Sequence, residues 1–207
     1  VGTRGSALAR SQTSTITAAL VELGRKVETV EIVTLGDRSA AALTQIGGTG
    51  VFVTALRDAL LDGRCDVAVH SFKDLPTAVA PGLVVAAVPV RQDPRDALCA
   101  RDGRTLATLP QGASVGTGSP RRAAQLRAAR PDLRVVDIRG NVDTRLRRIE
   151  DDLDAVVLAR AGLARLDRLD AVTEALPPEV MVPAPAQGAL AVEVRAEDAA
   201  DGSALAH

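Results

Sequence analysis

Residues 114–159 read SVGTGSPRRAAQLRAARPDLRVVDIRGNVDTRLRRIEDDLDAVVLA. Three short runs of strand character stand in it: Ser114–Gly116, Arg134–Ile138 and Ala155–Ala159. Between them lie two stretches of helical pattern, Pro120–Arg130 and Val142–Asp152. Ser119 suits a helix N-cap and Pro120 the first helical position. Gly140 permits a tight turn, after which Asn141 or Asp143 can cap the next helix. Strands alternating with helices in this rhythm predict α/β architecture with largely parallel pairing.

The same rhythm extends outward. Val27–Val33, Asp66–His70, Leu83–Val90 and Ala189–Val194 read as strands. Phe52, Leu56, Ala59 and Leu60 recur at helical spacing within Phe52–Asp62. Gly2-Thr3-Arg4-Gly5-Ser6 reads as strand, turn and helix start. Arg91–Arg95 brings charge and proline, as a linker does, and four prolines (Pro177, Pro178, Pro183, Pro185) punctuate the return toward Gly188. The expected organisation is a first domain of residues 1–89 plus 189–207 and a second of 95–182. Two short sheets joined in this way would form two lobes around a cleft. Ligands of such sheets bind beyond the carboxyl ends of the strands.

Composition narrows the function. The 207 residues carry a formal net charge of -1. Yet nine arginines fall between Arg121 and Arg148, opposed there only by Asp132, Asp137 and Asp143. Guanidinium forks grip carboxylate or phosphate, so the chain is expected to hold a ligand with many negative groups. Phe52 and Phe72 are the only aromatics, which argues against stacking on single-stranded nucleic acid. Cys65 and Cys99 are too few for a disulfide framework and lack metal-ligand spacing, so no metal is expected. No apolar run is long enough to span a bilayer. A cytoplasmic monomer with no nucleic-acid or membrane partner is the expectation.

Three motifs follow strands. Arg121 and Arg122 stand in the first turn of the helix begun by Ser119-Pro120, where the helix dipole disfavours cations. A bound anion would resolve that conflict; a solvated basic helix start is the plainer alternative. Arg139 and Arg145 flank the Gly140 turn and are either ligand arginines or surface ones. His70-Ser71-Phe72-Lys73-Asp74-Leu75-Pro76 places a carboxylate beside a lysine at a strand end. Such a carboxylate can hold an N–H-bearing intermediate and move protons if desolvation raises its pKa; the alternative is a surface Lys–Asp pair. Gly47-Gly48-Thr49-Gly50 lacks the lysine and spacing of a P-loop and reads as a mobile lid.

Taken in order, these motifs resemble the porphobilinogen deaminase (hydroxymethylbilane synthase) family. The matching segments include Gly2–Ser6, Thr34-Leu35-Gly36-Asp37, Gly47–Phe52, Asp66–Pro76, Asp93-Pro94-Arg95-Asp96 and Val115–Arg122. They continue through Arg130–Leu133, Arg139–Arg145, Ala161-Gly162-Leu163 and Gln187-Gly188-Ala189. The resemblance implies periplasmic-binding-protein-like lobes with mixed, mostly parallel sheets. It implies a transferase that joins four porphobilinogen units head to tail with loss of ammonia, on the route to tetrapyrroles. It implies Asp74 as the catalytic carboxylate. Arg4, Ser6, Lys73, Arg121, Arg122, Arg139, Arg145 and Arg165 would bind acetate and propionate groups. Phe52 would pack on a pyrrole, and Gln12, Ser71, Thr117, Ser119 and Gln187 would line the cleft.

The resemblance also implies a dipyrromethane cofactor held as a thioether by a cysteine of a third, C-terminal domain. Neither Cys65 nor Cys99 matches that cysteine. The third domain and the attachment cysteine are therefore expected to lie outside this chain, which alone is expected to be inactive. Three positions depart from the family pattern: Thr49 replaces a lysine, Pro120 a leucine and Ala186 a glycine. The competing reading is a non-catalytic two-lobe binding module for a polycarboxylate or other small anion.

Overall fold

The computed structural model describes residues 1–33 and 50–199. In chain order the elements are β1 (Gly2–Thr3), α1 (Ala7–Glu22), β2 (Val30–Glu31), α2 (Gly50–Leu61), β3 (Ala68–Ser71), β4 (Leu83–Ala87), β5 (Asp96–Ala100), β6 (Ser114–Gly116), α3 (Pro120–Ala129), β7 (Arg134–Val136), α4 (Val142–Asp151), β8 (Ala155–Ala159), α5 (Arg160–Arg165), β9 (Glu174–Leu176) and β10 (Leu190–Arg195). Short 3₁₀ turns include Phe72–Asp74. The chain divides into two compact units. The first is Val1–Arg91 with the return from Ala189; the second is Gln92–Gly188.

Each unit holds one five-stranded mixed sheet, and the two share a plan. The first runs β2-β1-β3-β10-β4 and the second β7-β6-β8-β5-β9. Three neighbouring strands are parallel in each: β2, β1 and β3, then β7, β6 and β8. The fourth place belongs to a reversed strand, β10 in the first unit and β5 in the second, which also pairs antiparallel with the outermost strand. The carboxyl ends of the three parallel strands therefore lie along one edge of each sheet.

Apolar helix faces cover both sides of each sheet. In the first unit Ile16 of α1 packs with Val67, Val69, Leu190, Val192 and Val194, while Leu56, Ala59 and Leu60 of α2 pack with Cys65, Ala68 and Leu83. Val69 and Ala68 point to opposite faces, as strand geometry requires. In the second unit Leu126 of α3 joins Leu98, Val115, Val157 and Met181; Leu146 of α4 and Leu163 of α5 join Cys99, Val156 and Leu158.

The predicted caps form. Ser119 accepts from Arg122 N at 3.4 Å, and Asn141 accepts from Thr144 N at 2.8 Å. Gly140 takes φ 106, a region that a side chain would strain. Some boundaries tighten: the strand expected over Val27–Val33 is Val30–Glu31, and Leu83–Val90 ends at Ala87. Three elements went unread: β5, directly after the linker, α5 and β9. Ala97, Leu98 and Cys99 of β5 are all fully buried, so the strand shows no in-out alternation for a pattern to catch. The segment Thr34–Asp37 and the glycine loop through Thr49 lie outside the described residues.

Candidate active site

In the first unit the parallel strands β1 and β3 deliver two loops to one sheet edge. After β1 come half-buried Arg4 and then Ser6, which caps α1 by accepting from Ala9 N at 3.3 Å. Buried Gln12, on the second turn of α1, donates from Nε2 to Ser71 Oγ at 2.7 Å. Ser71 closes β3, and the chain turns at once into the Phe72–Asp74 3₁₀ turn. Phe72 N donates to Ala189 O at 3.1 Å and Leu75 N to Phe72 O at 3.1 Å. Lys73 and Asp74 form the exposed tip of this turn.

Asp74 combines surface access with crowding. Its carboxyl reaches solvent, yet enough protein surrounds it that desolvation pushes its pKa up. Lys73, Arg4 and His70 each pull it down, and desolvation prevails. A carboxyl biased toward its protonated form can give and retake a proton.

In the second unit the arginines behave in two ways. Arg121 and Arg122 turn back onto Asp96 at the start of β5. Arg122 donates from Nε (3.0 Å) and Nη2 (2.7 Å) to Oδ1, and from Nη1 to Val157 O at 3.2 Å. Arg121 donates from Nη2 to Oδ2 at 2.7 Å and from Nη1 to Val182 O. Gln187 Nε2 adds bonds to Asp96 Oδ1 at 2.8 Å and Pro94 O at 2.7 Å. Asp96 is 0% exposed. Burial would raise its pKa, but Arg122 and Arg121 outweigh burial and hold it below the ordinary carboxylate range. The anion that two arginines in a first helical turn call for is thus supplied by the protein itself.

Arg145 differs. It donates from Nε to Gly140 O at 2.8 Å. Its pKa is lowered by desolvation and by the nearby charges of Arg122 and Arg139, with Asp137 opposing. Arg139 is exposed and lies 3.4 Å from Asp137. Arg165 of α5 donates to Gly188 O at 2.7 Å and is also desolvated. Thr117 is buried after β6, where its Oγ1 accepts from Ser119 N at 3.2 Å. The second unit therefore gathers cation-rich turns at the ends of β6 and β7, with spare positive charge centred on Arg145.

Phe52 lies in the first turn of α2, but its side chain is outside the described residues. Both cysteine thiols are buried, with pKa values pushed up by desolvation, Cys99 to about 12. Such thiols are poor nucleophiles. Among the described residues no group of His, Cys, Asp and Glu could hold a metal ion. None of the described helices is long and apolar enough to cross a membrane.

Sequence reasoning passed over Asp96 as a site component, noting it only inside a motif. The available signal was an aspartate opening an apolar run, since a carboxylate buried there must find cationic partners.

Two mixed sheets of this plan, with polar loops at the ends of their parallel strands, define an α/β protein of the periplasmic-binding type. A periplasmic substrate-binding protein of an ABC transporter from Coxiella burnetii shares the fold, with a TM-score of 0.56, 14% identity, and coverage of 97% of this chain and 86% of that one. A nutrient-binding protein from Burkholderia cenocepacia bound to methionine is comparable, with TM-score 0.55, 14% identity, and coverage of 97% and 86%. A family model described as porphobilinogen deaminase, dipyromethane cofactor binding domain, matches residues 1–201. The chain belongs to the porphobilinogen deaminase family. The porphobilinogen deaminase of Leifsonia xyli subsp. xyli is 64% identical over 200 residues, covering 96% of this chain and 61% of the relative. That of Mycobacterium marinum is 59% identical over 207 residues, covering 100% and 66%. The chain thus spans roughly two thirds or less of these relatives.

Proposed function

We propose that this chain carries catalytic and carboxylate-binding parts of a hydroxymethylbilane synthase, the transferase that joins four porphobilinogen units and releases ammonia at each joining. The carrying observation is Asp74: a crowded carboxyl at a strand end, raised by desolvation and ringed by Lys73, Arg4 and His70. A plain anion receptor gains nothing from a carboxylate set among its cations. An enzyme that must stabilise positive charge on a pyrrole as ammonia departs does gain from it. In this reading an Asp74 carboxylate oxygen accepts the pyrrole N–H, and the same group takes up and returns the proton exchanged during joining. Arg4, Ser6 and Lys73 steer the acetate and propionate of the incoming unit, with Gln12, Ser71 and Phe52 beside them.

The donor set of the second unit fits dipyrromethane, whose pyrroles carry several carboxylates. Arg139, Arg145 and Arg165 would hold those groups, with Thr117 and Ser119 alongside. Arg121, Arg122 and Gln187, engaged with Asp96, would fix the shape of that surface, and of the three only Arg121 keeps appreciable exposure toward a ligand. When bound, dipyrromethane supplies the pyrrole terminus to which substrate is joined. Desolvated, mutually repelling guanidiniums are poised for carboxylates because binding relieves the repulsion. Cys65 and Cys99, as buried and protonated thiols, are not proposed as its attachment point.

The test is Asp74→Asn in a protein of the relatives' full length that carries this sequence. Turnover of porphobilinogen should fall by on the order of 10²-fold or more, with the circular dichroism spectrum unchanged. Near-normal turnover would refute the role of Asp74.

A further inference from the structure

Consecutive residues of α1 brace the ends of both β1 and β3. Gln12, 5% exposed, donates from Nε2 to Ser71 Oγ at 2.7 Å. Thr13, 2% exposed, donates from Oγ1 to Thr3 Oγ1 at 2.8 Å. Thr3 in turn donates to Arg4 O at 3.3 Å. Thr3 ends β1 and Ser71 ends β3. One turn of one helix therefore fixes the two strand ends from which the candidate site is built.

The two braces differ in what they leave over. A hydroxyl has one O–H to donate and two lone pairs to accept with. Thr13 spends its O–H on Thr3, and Thr3 spends its own on the backbone. Nothing in that chain remains to be given to a ligand. Ser71 is on the receiving side instead. An amide N–H only donates, so Gln12 occupies a lone pair of Ser71 Oγ and leaves its O–H unspent. Among the described residues Ser71 Oγ donates to no other group. Ser71 is half-buried and directly precedes the Phe72–Asp74 turn, so this O–H lies at the same sheet edge as Asp74.

We propose that Gln12 is a positioning residue: by donating to Ser71 it makes that hydroxyl an obligate donor, which Ser71 offers to a carboxylate oxygen of the ligand. The proposal rests on the reading of this sheet edge as a porphobilinogen site. The effect of Gln12 on the ligand passes through Ser71, since its own amide nitrogen is committed to that hydroxyl. A carboxylate is the ligand group that such a donor suits, because it accepts only and rewards a donor more than a neutral oxygen does.

The experiment is a double-variant cycle on steady-state kinetics with porphobilinogen, in a protein of the relatives' full length that carries this sequence. The variants are Ser71→Ala, Gln12→Glu and the two together. A glutamate carboxylate only accepts, so Gln12→Glu draws the Ser71 O–H inward while keeping the side chain's size. KM should rise on the order of 10-fold in Ser71→Ala, the worth of one hydrogen bond to a charged group, and by a similar factor in Gln12→Glu. In both, kcat should change less than KM, whereas damage to the fold would lower kcat and Tm together. The double variant should be no worse than either single one, because both remove the same donor. Factors that multiply in the double variant overturn the proposal, since Gln12 or its new charge then acts on the ligand without Ser71. A normal KM in either single variant overturns it as well. Should Gln12→Glu fail to fold, Gln12→Met, of equal length, decides: a KM rise that disappears on the Ser71→Ala background supports the role, and an equal rise on both backgrounds, or none, overturns it. A wild-type protein that does not consume porphobilinogen sinks the reading of the site, and this role with it. A wild type that does, with multiplying factors, sinks the role of Gln12 alone.

Discussion

Both sheets seat a buried carboxylate on their reversed strand, and the two units satisfy it differently. Asp96 on β5 receives two guanidiniums and an amide; Glu193 on β10 receives one guanidinium and an imidazole. Arginine stays charged at any working pH, so the Asp96 cluster is permanent and holds one positive charge in excess. The Glu193 cluster sets a single guanidinium, that of Arg57, against its carboxylate. The contrast matches the proposed division of labour: a fixed cationic surface in the second unit and a proton-exchanging carboxyl in the first.

The sharpest way to break the comparison is to remove each carboxylate. Asp96→Asn leaves Arg122, whose side chain is 7% exposed, and Arg121 without their counter-charge. Stripping one partner from a buried pair costs about 3–5 kcal/mol, to be read from urea unfolding at pH 7. Glu193→Gln should cost less, because Arg57 is 17% exposed and can turn to water. Equal costs would erase the distinction. The pH dependence has a definite sign. Asp96 has a depressed folded-state pKa, so its contribution is present above the unfolded value of about 3.9 and is lost as pH falls through the folded value. The gap between wild type and Asp96→Asn should close in acid.

A smaller effect lies where the chain returns to the first unit. Ala186 takes φ 57, and Gly188 two residues on takes φ 91. A Cβ on Gly188 would stand 2.4 Å from Gln92 O, so glycine is required there. Ala186 bears left-handed strain that a glycine there would avoid. Ala186→Gly should stabilise the chain by about 0.5–1 kcal/mol, the relieved strain being partly offset by the greater freedom of glycine when unfolded. A thermal melt checks it, and a lower Tm would show the strain to be absent.

Local chemistry was legible in the sequence, and distant pairing was not. Ser119-Pro120 and Asn141 announced their helices because caps are read within four residues. Strands Ser114–Gly116 and Ala155–Ala159 stood out as short runs between helices. The Phe72–Asp74 turn was visible as a strand end followed by charge and Pro76. By contrast, Asp96 and Arg121 are 25 residues apart and Glu193 and Arg57 are 136 apart. No periodicity links such residues. The two arginines of α3 accordingly read as seeking an outside anion, whereas the fold brings Asp96 to them. The reversed strand β5, buried on both faces, hid for the same reason: its partners are set by topology.

The most direct test is one carboxyl-carbon NMR titration of the wild-type chain, with Asp74, Asp96 and Glu193 assigned. The account predicts Asp74 titrating above the ordinary aspartate value of about 3.9, and Asp96 and Glu193 titrating below their ordinary values, in the same sample. An Asp74 midpoint at or below about 3.9 would contradict it, because that carboxyl would then be one more surface charge with no bias toward holding a proton.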